Sequence, residues 1–113
     1  MKTIIAGSRG INLIEPLLHA IEEFPFKITT VISGTAHGVD TLGEYWARMN
    51  DIPVEQFPAD WFKYGKRAGY VRNEQMAKVA EGALILWDGF SPGTKHMINI
   101  CEQTNLPYYV YTV

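Results

Sequence analysis

Short apolar runs alternate with segments of helical period along the whole chain. Thr3–Ala6 is an apolar run ending at Gly7 and reads as a strand. Ile14, Leu17, Leu18 and Ile21 recur at helical spacing, with Asn12 and Glu15 placed as an N-terminal cap and Pro16 tolerated in the first turn. The β-branched run Ile28–Ile32 predicts a second strand. Val39, Leu42, Trp46 and Ala47 mark a second helix, and Pro53–Phe57 a third strand. Helix period continues from Arg67 to about Ala80. Ala83–Trp87 is unbroken apolar sequence, as in a strand covered on both faces. Thr94, Met97, Ile98 and Cys101 mark a further helix, and tyrosine-rich Pro107–Val113 a last strand near an edge.

Strict β-α alternation predicts an α/β fold: a Rossmann-like three-layer sandwich, with a five-stranded, mostly parallel sheet and helices on both faces. In such sheets ligands bind beyond the carboxyl ends of the strands, where strand order reverses. The informative residues should therefore follow strands, and they do. The turns are Gly7-Ser8-Arg9-Gly10, the stretch Ser33–Asp40, the stretch Pro58–Gly69, and Asp88–Thr94. They hold Gly34, Gly38, Gly65, Gly69, Gly89 and Gly93, and each feeds a helix. Glycine lets backbone N–H groups approach a ligand, and a helix N-terminus adds partial positive charge. With Arg9, Lys66 and Arg72 among them, these turns point to an anionic ligand. No Gly-x-Gly-x-x-Gly and no Walker loop occurs.

The helix after the third strand sharpens this. Its core stripe through Met76, Val79 and Ala80 extends back onto Arg72, Asn73 and Gly69. A buried, unpaired guanidinium is costly. Either the stripe opens into a pocket, with Arg72 on an anion and Asn73 on a base, ribose or backbone group, or Arg72 pairs internally with Asp60 or Asp88. The stretch from Asp60 to Asn73 is locally basic, with Lys63, Lys66, Arg67 and Arg72 against Asp60. Asp40 falls at the start of the second helix, where it either serves the helix dipole or meets Thr35 or a ligand hydroxyl. Trp61 either stacks on a base or covers the core. Ser8 and Ser33 have no visible base partner, so a hydrolytic triad is not expected. His37 and His96 lack further ligands at metal-binding spacing, so no metal is expected.

Composition narrows the classes. The 113 residues predict one domain, and 47% hydrophobic against 19% charged residues gives no disorder signature. A chain this long buries roughly two thirds of its unfolded surface, so it needs no disulfide or metal to fold. The lone Cys101 permits no internal disulfide. A net charge of −2 argues against broad binding to duplex nucleic acid or an anionic membrane. No apolar run approaches the ~20 residues of a membrane span. The apolar N-terminal stretch is too short for a signal peptide, so the expected compartment is the cytoplasm.

Taken together, Ala6–Arg9, Ser33–Asp40, Pro58–Trp61 and Gly65–Asn73 resemble the YspA-type branch of the SLOG superfamily, along nearly the whole chain. The element Ala68-Gly69-x-x-Arg72-Asn73 is the most specific part. The resemblance implies a Rossmann-like fold and a pocket for a nucleotide or nucleotide-derived ligand such as ADP-ribose, which the protein senses or processes, often in bacterial or phage conflict. The family's phosphate role carries over to Gly93 and Thr94; with them the turn Gly34, Thr35, Ala36, Gly38 is expected to hold phosphate, Arg9 and Arg72 to neutralise charge, and Asn73 and Asp60 to orient sugar or base. Gly7, Ser8, Asp40, Trp61, Lys66, Gly69 and Gly89 complete the expected ligand shell, with no certain cofactor beyond the ligand.

The superfamily also includes the LOG phosphoribohydrolases, with a Pro-Gly-Gly-x-Gly-Thr loop followed by a catalytic glutamate. Here the loop keeps Gly93-Thr94, but Lys95-His96-Met97 follows and the glutamate is gone. Hydrolysis of an N-glycosidic bond needs a carboxylate near the ribose C1, and Asp40, Asp60 and Asp88 are the substitutes. A third role, single-stranded DNA binding or scaffolding, follows by analogy with the DNA-processing protein A branch. The acidic balance and the absence of a basic stripe weigh against it. Self-association to a homo-oligomer is expected by the same analogy.

Overall fold

The computed structural model describes residues 1–113. Its elements are β1 (Lys2–Gly7), α1 (Ile14–Glu23), β2 (Thr30–Ser33), α2 (Val39–Met49), β3 (Val54–Gln56), α3 (Trp61–Tyr64), a 3-10 turn (Gly65–Arg67), α4 (Ala68–Val79), β4 (Gly82–Trp87), α5 (Pro92–Thr104) and β5 (Tyr108–Thr112). The strands form one sheet in the order β3-β2-β1-β4-β5, and every pairing is parallel.

Side chains alternate across the central strands, and this sorts the core into two halves. Ile5, Val31, Leu84 and Leu86 face Leu17, Ala20 and Phe24 of α1 and Val39 and Ala47 of α2. Ile4, Ala6, Ile32, Ala83 and Ile85 face Met76 of α4 and Met97, Ile98 and Cys101 of α5. Two helices thus cover each face, which makes the three-layer α/β sandwich expected from the pattern. Ala83–Leu86 is wholly buried, as a strand clad on both sides should be. β5 pairs with β4 alone and is an edge strand. No helix is long and apolar enough to cross a membrane.

The chain runs outward from β1 to β2 and β3, then returns to lay β4 on the other side of β1. The order therefore reverses between β1 and β4, and their carboxyl ends open a crevice there. Gly7 ends β1 opposite Leu86. A Cβ on Gly7 would collide with the Leu86 carbonyl and stand 2.6 Å from Val39 Cγ2, so glycine lets the first residue of α2 close over this point.

Three local expectations are corrected. α1 starts after Leu13, whose side chain has no acceptor to cap it; Asn12 lies one residue further out and its Nδ2 donates to the Gly10 carbonyl at 3.2 Å. The expected helix from Arg67 is preceded by α3, which Asp60 caps by accepting the Lys63 N–H at 3.0 Å. Gly65, at φ 56°, ends that helix. Val79 is 40% exposed, since α4 ends there and the backbone extends at Ala80; the buried face runs through Ala68, Asn73 and Met76.

Candidate functional site

A cavity of about 220 Å³ lies at the switch point. Its floor is Ala6 and Gly7 at the end of β1, with Met76 and Met97 beneath. Arg9, Ala36 and Asp40 line it from the α2 side. Trp61, Lys66, Gly69, Tyr70, Arg72 and Asn73 line it from the α3–α4 segment, and Ser91, Gly93 and Thr94 from the start of α5.

The α2 side is stiffened from below. Thr35 has φ 62°, and its N–H donates to Ser33 Oγ at 3.1 Å. Ser33 in turn donates to Glu44 Oε2 at 2.6 Å, and Glu44 Oε1 accepts from Arg48 at 3.1 Å and Gln56 at 2.9 Å. Gly38 has φ 81°, and its missing Cβ is where the Ser8 and Arg9 carbonyls pack, 2.6 Å from the point it would occupy. Asp40, 5% exposed, accepts the Ala36 N–H through Oδ2 at 3.1 Å. Its Oδ1 makes no hydrogen bond within the protein. No sealed side-chain oxygen or nitrogen in the molecule lacks a partner, so Oδ1 opens into the cavity that Asp40 lines. Burial pushes the Asp40 carboxyl up to about 6, against the opposing pull of the Ala36 N–H and of Arg72 and Arg9.

On α4, Arg72 Nη1 donates to the Gly34 carbonyl, and Nε donates to Asn73 Oδ1 at 2.9 Å. Asn73 Nδ2 reaches the Gly93 carbonyl at 3.4 Å and His96 Nδ1 at 3.2 Å. With its oxygen taken by Arg72, the Asn73 amide nitrogen faces His96 as a donor, which assigns the acceptor role to His96 Nδ1. Burial lowers the His96 pKa, consistent with a neutral ring. Its ring lies 4.2 Å from that of Tyr70. This chain ties the β2–α2 turn to the first turn of α5. Arg72 makes no ion pair within 4.0 Å; its pKa is lowered by burial, with Asp40 acting in the other direction. The internal pairing with Asp60 or Asp88 that the sequence left open does not occur.

At α5, Ser91 is the N-cap residue and Pro92 follows at the first position. The first N–H groups of a helix have no partner within it, and Gly93 presents open space where a Cβ would stand. Asp88 builds the loop in front. Its Oδ1 accepts the Phe90 and Ser91 N–H groups at 2.8 and 2.9 Å, which hold its carboxyl below the usual range. Ser8, fully buried, accepts the Asp88 N–H at 3.1 Å and so links the β1 and β4 turns.

The structure thus brings together Gly7, Arg9, Ala36, Asp40, Trp61, Lys66, Gly69, Arg72, Asn73, Gly93 and Thr94 on one cavity. Ser8, Gly34, Thr35 and Gly38 shape its walls from behind. Asp60, Asp88 and Gly89 do not line it; Asp60 borders a separate groove beside Lys63 and Gln75. Trp61 is 54% exposed at the rim and does not cover the core. Tyr70, Ser91 and the Glu44 network escaped the sequence reading. Ser91 carries a readable signal, a serine at the N-cap position followed by proline at the first helical position. No three His, Cys, Asp or Glu side chains gather as a metal site.

Gene 61 protein of Mycobacterium phage D29 is 28% identical over 116 residues, covering 94% of this chain and 92% of that protein. No solved structure matches the chain. The profile of the YspA, cpYpsA-related SLOG family matches residues 1–64, from β1 through α3, so the α4 and α5 residues of the cavity lie beyond the matched segment. That match spans more than half of the chain and coincides with the Gly7, Ser33–Asp40 and Pro58–Trp61 turns: the chain belongs to the YspA, cpYpsA-related SLOG family, whose members are associated in general terms with nucleotide-related ligands.

Proposed function

We propose that the cavity between β1 and β4 binds a phosphate-bearing, nucleotide-derived small molecule of the ADP-ribose kind. The observation that carries this reading is Arg72. Its guanidinium lines the cavity, is largely buried, and has no carboxylate within ion-pair distance. A cation in that position is stabilised by an anion supplied from outside. Arg9 and Lys66 add charge, and the first N–H groups of α5 at Gly93 and Thr94 add the helix dipole. Trp61 at the rim offers a face for a base, and Asn73 orients the ligand while bracing Arg72.

Thermal unfolding against AMP, GMP, NAD, ADP-ribose and cyclic dinucleotides tests it. A ligand at a hundred times its Kd adds about 2.7 kcal/mol, which for a chain of this size raises the midpoint by on the order of 10 °C. Arg72→Ala should fold and lose the shift; a shift of full size in that variant removes the assignment. Chromatography of each mixture separates binding from turnover. Among the three aspartates considered for hydrolysis, Asp40 alone lines the cavity. Release of free base from a nucleotide, lost in Asp40→Asn, is the sign of that reaction.

A further inference from the structure

Asp40 is an unusual occupant of a site for anions. A cavity serving only to hold phosphate gains nothing from a buried carboxylate among its cations, since like charges repel at short range. The Asp40 side chain is 5% exposed, is anchored by one oxygen to the Ala36 N–H, and leaves the other without a protein partner in the cavity. Its distance from Arg72 is also maintained. A Cβ on Gly34 would stand 2.7 Å from Arg72 Nη1 and 2.9 Å from Asp40 Oδ2, so the two groups flank the bare α-carbon of Gly34. They nevertheless form no ion pair, because Arg72 Nη1 is turned to the Gly34 carbonyl. The result is a cation and a carboxylate side by side, each with hydrogen-bonding capacity left over and facing the same space. A ligand that satisfies both must carry an anion and, a few ångströms away, a hydrogen-bond donor.

We infer that Asp40 selects the ligand by accepting a sugar hydroxyl through its free oxygen, while Arg72 and the start of α5 hold the phosphate, so that the site takes ribose phosphates in preference to phosphates without hydroxyls. This inference rests on the phosphate reading above and adds the class of group that stands next to the phosphate. Hydroxyls are the donors a ribose phosphate offers at that range. An ionised carboxylate is an acceptor only, so the partner must donate. Groups that face Asp40 from neighbouring elements are Arg9 after β1, Arg72 on α4 and Glu44 on its own helix. The two arginines favour the ionised form and Glu44 opposes it, while burial leaves Asp40 titrating near 6. At pH 8 it is the acceptor described here; at pH 5 it is mostly protonated.

The test compares ribose 5-phosphate with methyl phosphate, and AMP with 2′,3′-dideoxy-AMP, by calorimetry or NMR titration of the intact protein at pH 8. A hydrogen bond to a charged group corresponds to about 10- to 100-fold in Kd. Ribose 5-phosphate should therefore bind tighter than methyl phosphate by at least about 10-fold, and AMP tighter than its dideoxy analogue by a similar factor. In Asp40→Asn both ratios should fall to within about threefold, and methyl phosphate should bind as well as before or better, because a repelling charge is gone. The wild-type protein at pH 5 should show the same narrowing. Taking ratios at one pH cancels the phosphate's own titration, since both members of a pair are monoesters. Equal affinities within each pair in the wild-type protein, or ratios that survive in Asp40→Asn and at pH 5, overturn the inference. If methyl phosphate still binds in that case, and binds through Arg72 as judged by Arg72→Ala, the phosphate reading stands without it. If no phosphorylated probe binds at millimolar concentration, both fall together.

Discussion

Asp40 and Glu44 sit one turn apart on the same face of α2, and both are more than nine-tenths buried. Their surroundings differ in completeness. Glu44 has both oxygens engaged, one by the Ser33 hydroxyl and the other by Arg48 and Gln56. Asp40 has one oxygen on a backbone N–H and the other on the cavity. Burial alone would rank the two as equals. The hydrogen bonds separate them: Glu44 is a closed hub joining β2, α2 and β3, whereas Asp40 is an open position that something outside the chain can complete. A buried carboxylate with both oxygens engaged is explained by the fold, and one with an oxygen left without a partner asks for a ligand.

The largest effect that could break this comparison is on Glu44. Glu44→Ala strips the acceptor from Ser33 and Gln56 and frees Arg48, and the loop that carries Thr35 at positive φ loses its foundation. Leaving those donors without partners should cost about 2–3 kcal/mol, and lower the midpoint of thermal unfolding by on the order of 10 °C. Circular dichroism melts of the variant and the wild-type protein read this directly. A midpoint that does not move would mean that the network is incidental and that Glu44 and Asp40 are both merely tolerated.

The next effect is smaller and has a sign. Burial raises the folded-state pKa of Asp40 to about 6 from 3.8, so the folded protein binds this proton more tightly than the unfolded chain does. Stability from this group therefore rises as pH falls through 6 toward 4 and is absent above about 7. Relative to Asp40→Asn, the wild-type protein should gain about 1 kcal/mol between pH 7 and pH 5. Urea denaturation of both proteins at the two pH values measures it, and taking the difference removes the contribution of other carboxylates. A difference that is flat, or of the opposite sign, would place Asp40 in a well-solvated or strongly paired setting and remove the contrast with Glu44.

Much of the frame was legible in the chain. The unbroken run Ala83–Trp87 could only be covered on both faces, and the regular alternation of runs and helical periods implied parallel pairing. Together they located the turns after β1, β2 and β4 around one crevice. The limits of that legibility lie with short range and with partners. The four residues of α3 are too few to show a period, so the sequence reads them as loop. The three aspartates each fall after a strand, at or just before the first turn of the next helix, which makes them look alike. What distinguishes Asp60 and Asp88 is local: each turns its carboxylate onto N–H groups within three residues. Asp40 also meets a near neighbour, Ala36, but the openness of its second oxygen depends on Gly34, Arg72 and the crevice, which only folding assembles. Glu44 was invisible for the same reason, since Ser33 and Gln56 lie eleven and twelve residues away.

The smallest effect contrasts Asp40 with Asp60, an aspartate whose carboxylate serves its own turn. Asp60 is exposed, caps the short α3 through the Lys63 N–H, and borders the groove beyond Arg72 rather than the cavity. Asp60→Ala should cost about 0.5–1 kcal/mol through loss of the cap, a shift of a few degrees in the midpoint. The Kd of any phosphorylated probe that binds the wild-type protein should stay within about twofold, because an exposed charge outside the cavity is screened by water and salt. If Asp60→Ala weakens the probe by tenfold or more while the melt barely moves, the carboxylate next to the ligand is Asp60, α3 must close over the cavity when the ligand enters, and Asp40 becomes a second buried anchor of the Glu44 kind.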